Sequence, residues 1–519
     1  MAKSDAEQLD KEQADKGQES KEKTEGQRKF EEYYIEDQVL ITGPVDGILG
    51  VVDAIADELS ERLQVELRLA SGGELTLGPQ LWDPERAERI SPCLEAILPD
   101  LSACLEGQLG MRLYQIIRHQ AGDDRQGLVE EVVAVINQAG RDQCVRSGPN
   151  WLTGYQYSAG GSYHLTASSP YSVAGSPAAT PGAAVSSDDF WKQWALERIG
   201  LIQGDMRATE RCGQGVRVGV FDTSPFKEEG KPLPAGWGHP PFLTVVHPDV
   251  FKDFPVPAPS NIDPANPPDL SSHGLSVAGL VSAVAPHSDI YLYQVLNEYA
   301  RGNLYVLCCA LVAFMEGVLS NPDAPNGGVI NLSLGLVLPE GWQNLLSTEW
   351  VFALDIVLAL AHCLGLTVVA AAGNESTRSG PAKPPEFPAS QPYAIGVMAS
   401  NYADDRSCFS NEGDVTAPGG DGHDCGREGE ECMRPWDITG IDWWKYGLVG
   451  PVLPNDKFPH GLARWLGTSF ATPLVSGMAA LILQHHGGPP PAGVRGEILN
   501  HVSPGGAEVQ GGIIDVQSY

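Results

Sequence analysis

The sequence predicts an α/β protein in two parts: a small α+β domain, followed by a larger domain on a mostly parallel sheet with helices on both faces. Three observations predict this. From residue 189 to the C-terminus, apolar runs of strand length alternate with helical patterns, which is typical of parallel sheets. Residues 29–151 show a β-α-β, β-α-β order. A stretch rich in Ser, Ala, Gly and Pro separates the two.

The first domain is predicted over residues 29–151. Residues 1–28 are polar and of mixed charge, so we expect a disordered tail there. YYIEDQVLIT then predicts a strand and VDGILGVVDAIADELSERL an amphipathic helix, while VELRLA and ELTLG predict two strands around a Gly-Gly turn. A further helix is expected near residues 84–99. The strand LYQIIRH, the helix GLVEEVVAVINQA and a possible strand at 144–151 complete the domain.

A linker is predicted over residues 152–188 and the second domain over residues 189–519. The linker contains YSAGGSYHLTASSPYSVAGSPAATPGAAVSS, which has no helical or strand periodicity. The second domain opens at DDFWKQWALERIG. Its strand candidates are VRVGVF, IYLYQVL, GVINLSL, LTVVAAA and AIGVMA.

The charge of the chain excludes several classes of partner. The 519 residues include 34 Lys+Arg and 66 Asp+Glu, which gives a formal net charge of −32. Nucleic acids and anionic membranes would repel such a surface. The apolar run 351–372 contains Asp355, His362 and Gly365, so it predicts a buried helix and strand rather than a membrane span. Because no secretory signal is visible, we expect a cytoplasmic location, with secretion by an unrecognised route left open.

The ten cysteines are too sparse for a disulfide-built scaffold. Cys308, Cys309 and Cys363 lie in apolar surroundings, which predicts core packing. Cys425 and Cys432 could pair with each other or bind a metal ion together with a nearby histidine. Their spacing matches no zinc pattern, so we expect no metal site.

Four short blocks carry chemically useful side chains. Asp222 ends the apolar strand VRVGVFD, at the sheet edge where ligand-binding groups collect in open α/β folds. His273 is followed by a glycine in SHGLSVAG, and Asn374 follows the strand LTVVAAAG. Ser469, in GTSFATP, stands at a predicted helix start, where free N–H groups and the helix dipole favour negative charge.

Taken singly, each block has an ordinary structural explanation, such as a helix cap, a buried histidine or a Gly-Asn turn. Pro473 is predicted to lie in the first turn of its helix, where it would break no needed hydrogen bond. Taken together, an acid, a base, an amide donor and a nucleophile form the set that acyl transfer needs. The chain order Asp, His, Ser is that of subtilisin.

With these blocks, the sequence resembles the subtilase (subtilisin-like, S8) family of serine peptidases. The resemblance covers about residue 189 to the end, including QWALERIG, GGVINLSLG, GNES, CFSN, VTAPG and GTSFATPLVSGMAAL. It implies a serine endopeptidase that acts on protein or peptide substrates and needs no cofactor. A narrow processing protease acting on one partner protein is an alternative. A peptide-binding pseudoprotease is less favoured, because no member of the catalytic set is missing.

The resemblance implies a role for each matched residue. Ser469 would attack the peptide carbonyl, His273 would take its proton, and Asp222 would orient the imidazole. Asn374 would donate to the oxyanion together with the Ser469 N–H. Substrate-binding residues are implied as well: Ser333, Leu334 and Gly335 on one wall of the primary specificity pocket, Ala371, Ala372 and Gly373 on the other, and Gly302 in a strand that pairs with extended substrate.

The sequence departs from the family pattern at three places. Ser224 stands where glycine is usual, which could strain a tight turn. The segment after the helix of His273 is short, so we predict that the calcium site of many subtilisins is absent. An insertion between residues 419 and 467 could gate the cleft, or it could be a surface loop with a structural Trp443–Trp444 pair.

The domain at 29–151 resembles the pro-domains of subtilases, and Pro149-Asn150 resembles their ends. One hypothesis is an inhibitory pro-domain that docks on the catalytic domain and is removed by cleavage near residues 150–187. The other is a stable regulatory or partner-binding domain. Because the catalytic blocks are nearly uncharged, we expect the acidity on the rest of the surface and on the rim of the cleft, where it would favour basic or polar substrates at low salt.

Overall fold

The computed structural model describes residues 33–99, 107–120, 125, 127–154, 190–204, 206–227, 243–258, 270–321, 325–336, 338, 350–378, 380–421, 447–454, 461–490, 493–517 and 519. The tail predicted at 1–28, and all but residues 152–154 of the linker predicted at 152–188, lie outside the described residues.

The N-terminal part is a twisted antiparallel sheet with helices in its connections. Its elements are β1 (Tyr34–Pro44), α1 (Val45–Glu58), β2 (Val65–Thr76), α2 (Pro84–Ile97), β3 (Leu109–Arg118), α3 (Leu128–Gly140) and β4 (Arg146–Gly154). The strands lie in the order β4-β1-β3-β2. The expectation of two strands around the Gly-Gly turn was wrong: β2 is one strand, and a register shift between Leu69 and Glu74 absorbs both glycines.

The second part is built on a nine-stranded sheet in which all pairs but one are parallel. Together with the strands outside this sheet, the second part contains β5 (Ile202–Gln203), β6 (Met206–Arg207), β7 (Arg217–Thr223), β8 (Leu243–Val246), β9 (Asp289–Leu296), β10 (Arg301–Asn303), β11 (Gly328–Leu332), β12 (Gly335–Leu336), β13 (Thr367–Ala371), β14 (Ala394–Ser400), β15 (Val415–Pro418), β16 (Leu448–Pro451), β17 (Leu462–Trp465), β18 (Val502–Ser503) and β19 (Ile513–Ile514). The order is β18-β19-β15-β14-β13-β11-β7-β9-β8, and only β18 and β19 pair antiparallel. The predicted mostly parallel sheet is confirmed.

Helices cover both faces of this sheet. They are α4 (Trp194–Arg198), α5 (Asp249–Asp253), α6 (His273–Val284), α7 (Leu304–Leu319), α8 (Phe352–Cys363), α9 (Thr468–His486) and α10 (Gly493–Asn500). Every residue of β11, β13 and β14 is buried, and alternate side chains of a strand point to opposite faces, so neither face is open to water. No helix in the described part of the chain is both long and apolar enough to cross a membrane.

Strand β4 continues past its own sheet and pairs with two strands of the second part. Thr153 lies opposite Gly302 in β10, and Gly154 lies opposite Gly335 in β12, both in antiparallel register. At the start of this stretch, the indole Nε1 of Trp151 donates to the carbonyl oxygen of Trp350 at 2.9 Å. The last three residues of β4 thus form the middle strand between β10 and β12.

A disulfide joins the two parts of the chain. Cys93, in α2, is bonded to Cys363, the last residue of α8. The prediction that Cys363 serves core packing was therefore wrong, because an apolar run does not reveal a thiol that meets it from a segment 270 residues away. Cys308 is buried and free, as predicted, and Cys309 is free but partly exposed. Cys425 and Cys432 lie outside the described residues.

Candidate active site

Asp222 and His273 are in direct contact at the carboxyl end of the sheet. Both side chains are fully buried, and His273 Nδ1 lies 2.8 Å from Asp222 Oδ1 and 2.9 Å from Oδ2. The backbone N–H of Thr223 donates to the same Oδ1 at 2.7 Å, which fixes the carboxylate. The pairing of β7 with β9 shifts register between Asp222 and Thr223, and such an irregularity re-aims side chains at a sheet end.

A glycine after His273 makes this contact sterically possible. A Cβ on Gly274 would lie 2.3 Å from the carbonyl oxygen of Thr223 and 2.7 Å from Asp222 Cβ, so any side chain would push α6 away from β7. Thr223 also holds the helix start: its Oγ1 donates to the carbonyl oxygen of Leu270 at 2.9 Å and accepts from the N–H of Gly274 at 3.1 Å.

Two aromatic rings, those of Phe470 and Trp465, pack against the imidazole of His273. The Phe470 ring centroid is 4.9 Å away and that of Trp465 is 5.6 Å away, both edge-to-face. Because Phe470 directly follows Ser469, this contact places the start of α9 beside the imidazole. Trp465 ends β17, in the predicted insertion at 419–467.

The described part of that insertion supports the helix of His273. Strands β16 and β17 form an antiparallel hairpin, and the Ser276 hydroxyl of α6 donates to the carbonyl oxygen of Pro451 in β16 at 2.7 Å. Gly279 gives the same proline room, since a Cβ there would lie 2.5 Å from its ring. The pair Trp443–Trp444 lies outside the described residues, so the choice between gate and surface loop stays open for that segment.

Ser469 is the second residue of α9, and Pro473 stands one turn later. The expectation that Pro473 breaks no needed hydrogen bond was wrong: the helix starts at Thr468, so this proline removes the N–H that would otherwise reach the Ser469 carbonyl oxygen. The Ser333 hydroxyl takes its place and donates to that oxygen at 2.8 Å. The Ser469 hydroxyl, in turn, donates to the carbonyl oxygen of Ser333 at 3.2 Å.

The amide of Asn374 is held by the residue before Ser469. Its Oδ1 accepts from the Thr468 N–H at 2.9 Å and from the Thr468 hydroxyl at 3.0 Å. An N–H can only donate, so the amide oxygen must face Thr468 and Nδ2 must point the other way. The Ser469 N–H is one of the first four of the helix, which have no acceptor within the helix. Asn374 Nδ2 and the Ser469 N–H are thus two N–H donors near the start of α9.

Two of the implied substrate-binding residues lie beside the end of β4. Gly302 and Gly335 pair with Thr153 and Gly154, as described above. Opposite them, β13 ends at Ala371, and Gly373 has a positive φ of 106° that favours glycine. Leu334 is buried, as is Ala372, whose carbonyl oxygen accepts from the N–H of Glu386 at 2.9 Å.

Sequence reasoning missed two carboxylates at this place. The side chain of Glu386 lies close to both implied pocket walls, and that of Glu375 lies beside Gly373 on the second wall. Burial raises the pKa of Glu375, and burial together with the neighbouring Glu375 raises the pKa of Glu386 well above its usual value. Glu375 was visible in the GNES block, but Glu386 reaches the site from a separate loop.

The structure can be compared with the two other departures from the family sequence pattern, at Ser224 and after the helix of His273. Ser224 does not adopt a positive φ, and its hydroxyl accepts from the Phe226 N–H at 3.3 Å, so serine fits this turn without backbone strain. Between α6, which ends at Val284, and β9, which starts at Asp289, the chain is short, and the absence of the calcium site stays a prediction. No group of three or more His, Cys, Asp or Glu side chains in the described residues is arranged to hold a metal ion.

Comparisons with known proteins identify the family of this chain. A model of the subtilase family matches residues 213–512, more than half of the chain. The chain belongs to the subtilase family. Subtilases are serine endopeptidases that act on protein or peptide substrates, and this chain is one of them by family.

Individual subtilases are similar over part of their length. A subtilisin of Bacillus pumilus is 34% identical over 240 residues, which cover 44% of this chain and 68% of the relative. Subtilisin E of Bacillus subtilis (strain 168) is 33% identical over 240 residues, which span about half, 49%, of its length. Among solved structures, a cold adapted subtilisin-like serine proteinase gives a TM-score of 0.42 at 23% identity, covering 62% of this chain and 97% of that one.

Proposed function

We propose that this subtilase hydrolyses peptide bonds with Ser469 as nucleophile, His273 as general base and Asp222 as its orienting acid. The observation that carries the proposal is the buried contact of both Asp222 oxygens with His273 Nδ1. It leaves Nε2 as the ring nitrogen that would accept the Ser469 proton. The contact of the Phe470 ring with the imidazole, with centroids 4.9 Å apart, supports a position of Ser469 near His273, because Phe470 directly follows Ser469.

In this mechanism, Ser469 Oγ bonds to the carbonyl carbon while its proton passes to His273 Nε2. The carbonyl oxygen becomes negative and accepts from Asn374 Nδ2 and the Ser469 N–H. The C–N bond then breaks as His273 returns the proton to the leaving amine, and water hydrolyses the acyl-enzyme by the reverse proton route. The first step requires the Ser469 O–H to turn from the Ser333 carbonyl oxygen towards His273.

A fluorophosphonate probe tests this proposal, because it labels only an activated serine. The chain should be labelled at Ser469, and the Ser469→Ala protein should stay unlabelled. Labelling of both proteins would refute Ser469 as the nucleophile. The pseudoprotease alternative predicts that neither is labelled, even after the segment 155–188 has been cut.

We also propose that the N-terminal domain regulates the cleft. Its strand β4 fills the position between β10 and β12, where the resemblance places extended substrate. The Tyr305 N–H, which donates to the Asn150 side chain at 3.1 Å, adds a specific contact behind this strand. A substrate must displace residues 152–154 to pair with the same edges.

Mass spectrometry beside a peptide assay separates the two forms of this regulation. A removable pro-domain predicts that purified active enzyme has been cut C-terminal to Gly154. A stable regulatory domain predicts an intact chain whose activity rises when β4 is displaced. An intact chain with full activity, unchanged by cutting the segment, would refute both.

The location of the protein is a further proposal. The Cys93–Cys363 disulfide is chemistry of oxidising compartments, since cytosolic thiols are kept reduced. We therefore favour a location outside the reducing cytosol over the cytoplasmic expectation. Alkylation of thiols in protein taken directly from its native cells tests this: unmodified Cys93 and Cys363 support an oxidising location, and alkylated ones support the cytoplasm.

A further inference from the structure

The space between the two pocket walls contains an acidic side chain from a third segment. Glu386 Oε2 lies 3.4 Å from the position a Cβ would take on Gly335, on the first wall. Glu386 Cγ lies 3.0 Å from the corresponding position on Gly373, on the second wall. The side chain of Glu386 therefore reaches from one wall to the other, with its carboxylate on the side of Gly335. The two glycines leave it this room, because a side chain at Gly373 would also clash with Glu375 Oε2 at 2.5 Å.

Glu375 supplies a second carboxylate at the same place. Its Oε2 accepts from Asn411 Nδ2 at 2.7 Å, while its Oε1 is buried and has no hydrogen-bond partner of normal geometry in the described part of the chain. Buried carboxylate oxygens normally have such partners. Neither glutamate forms an ion pair with a Lys or Arg among the described residues. The exposed Lys383 acts on both only through space.

The seated strand β4 shows how a peptide runs past these carboxylates. Gly154 pairs with Gly335 on the first wall, so an extended chain in this register lies directly above the pocket. Ser333 begins that wall, and its carbonyl oxygen is 3.2 Å from Ser469 Oγ, so the pocket opens beside the nucleophile. The side chain of the residue before the cleaved bond would enter the space that Glu386 occupies.

We propose that Glu386 and Glu375 form a receptor for a basic side chain, so that the enzyme cleaves after arginine or lysine. This inference rests on the proposed function. Both glutamates are only partly exposed, so a cation that reaches them meets weakly screened charge. A guanidinium offers five donors in a planar fork and can satisfy the open Glu375 oxygen and Glu386 together, which favours arginine over lysine. The net negative charge of the whole chain also favours basic substrates. The two glutamates, however, would contact the substrate residue before the cleaved bond, which decides specificity.

A pocket for basic side chains would accept the segment after the N-terminal domain poorly. Residues 147–191, which include the end of β4 and the predicted linker, contain neither Lys nor Arg. The strand in the cleft is therefore followed by a segment that this pocket would accept poorly. The purified chain should then remain uncut in this segment on its own and be opened there by a protease of different specificity.

Matched peptide substrates test the pocket. The full chain would be cut in the segment 155–188 with elastase, repurified, and assayed on peptides that carry arginine, citrulline or phenylalanine before the cleaved bond. Citrulline has the shape of arginine without its charge. We expect kcat/KM for arginine to exceed that for citrulline by roughly tenfold to a hundredfold, the usual effect of a charged hydrogen bond. A ratio near one would overturn the proposal, and this comparison needs no variant.

Two charge-removing variants assign the effect to the pair. Glu386→Gln and Glu375→Gln should each bring the arginine-to-citrulline ratio towards one. Glu197→Gln removes the same charge from an exposed position and should leave the ratio unchanged. A ratio that survives Glu386→Gln in folded protein would refute the assignment.

Fluorophosphonate labelling of the same preparations separates this proposal from the proposed function. Labelling of Ser469 without arginine preference overturns the basic pocket alone. Absence of labelling in every cut preparation overturns both.

Discussion

The hydroxyl of Ser333 donates to the carbonyl oxygen of Ser469 at 2.8 Å, and the hydroxyl of Ser469 donates to the carbonyl oxygen of Ser333 at 3.2 Å. This reciprocal pair joins Ser333, on one wall of the implied specificity pocket, to the proposed nucleophile. It is made possible by Pro473, which leaves the Ser469 carbonyl without its helical donor. Asn331 Nδ2 donates to Ser333 Oγ at 3.0 Å and extends the connection into the core.

Ser333→Ala should therefore cost both stability and activity. The variant leaves the buried Ser469 carbonyl and the Asn331 amide without a partner, a loss of about 1–3 kcal/mol of unfolding free energy. Urea unfolding measures this loss of free energy. We expect kcat to fall more than KM rises, because the substitution removes a hydrogen bond that positions Ser469 rather than a contact with the substrate. Ser390→Ala, at an exposed position, serves as control. Equal stability of the two variants would contradict this account.

Thr468 should matter to the reaction through Asn374. Thr468→Val removes the hydroxyl that donates to Asn374 Oδ1 but keeps the backbone N–H that also does. We expect a fall in kcat smaller than that of Asn374→Ala, for which roughly 10²–10³ is the range measured for a side-chain donor of this kind in a subtilisin. Thr468→Ser keeps the hydroxyl and should retain near-normal kcat. The idea fails if Thr468→Val and Thr468→Ser have the same kcat.

The Cys93–Cys363 disulfide should keep the two domains together after the segment between them is cut. Protein cut within residues 155–188 should run as one band on a non-reducing gel and as two when reduced. Cys93→Ser, once cut, should separate on dilution and show higher peptide hydrolysis than the cut parent, because strand β4 is then no longer held near the cleft. Cys212→Ser removes a free thiol and should behave like the parent. Domains that separate without reductant would show that no such bond forms.

The preference for arginine over citrulline should weaken as the pH falls. Burial raises the pKa of both Glu375 and Glu386, so their negative charge is complete only above the raised values and is lost as the pH drops towards the ordinary carboxyl pKa of about 4.3. Lys383 opposes this shift in both groups. The ratio of kcat/KM values is the right measurement, because a pH effect common to both substrates cancels in it. Glu386→Gln should flatten the profile; a ratio independent of pH in the parent would count against the pair.

Much of the fold could be predicted because local sequence patterns encode its strands and helices. The apolar strands around VRVGVF and LTVVAAA are confirmed as β7 and β13, since continuous apolar runs bounded by turn residues encode strands buried on both faces. The position of Asp222 at a strand end followed from the same pattern, whereas its contact with His273 was implied by the family resemblance.

Predictions were wrong where a distant segment decided the outcome. Cys363 looked like a core residue until α2 brought Cys93 to it. Pro473 looked harmless because the predicted helix start was inexact by a turn, and its lost hydrogen bond is replaced by Ser333 from another strand. No local sequence pattern marked Glu386 as functional, because its proposed role depends on its contacts with Gly335 and Gly373 in other segments.

By itself, the sequence determined the parallel sheet, the family and the four residues of the proposed catalytic set, because each is encoded by neighbours a few positions apart. Only the tertiary structure decided that β4 pairs with β10 and β12, that a disulfide joins Cys93 to Cys363 and that Glu375 and Glu386 both lie beside Gly373. Those features depend on the packing of segments far apart in the chain, where shape and the loss of water set the neighbours and no local periodicity records them.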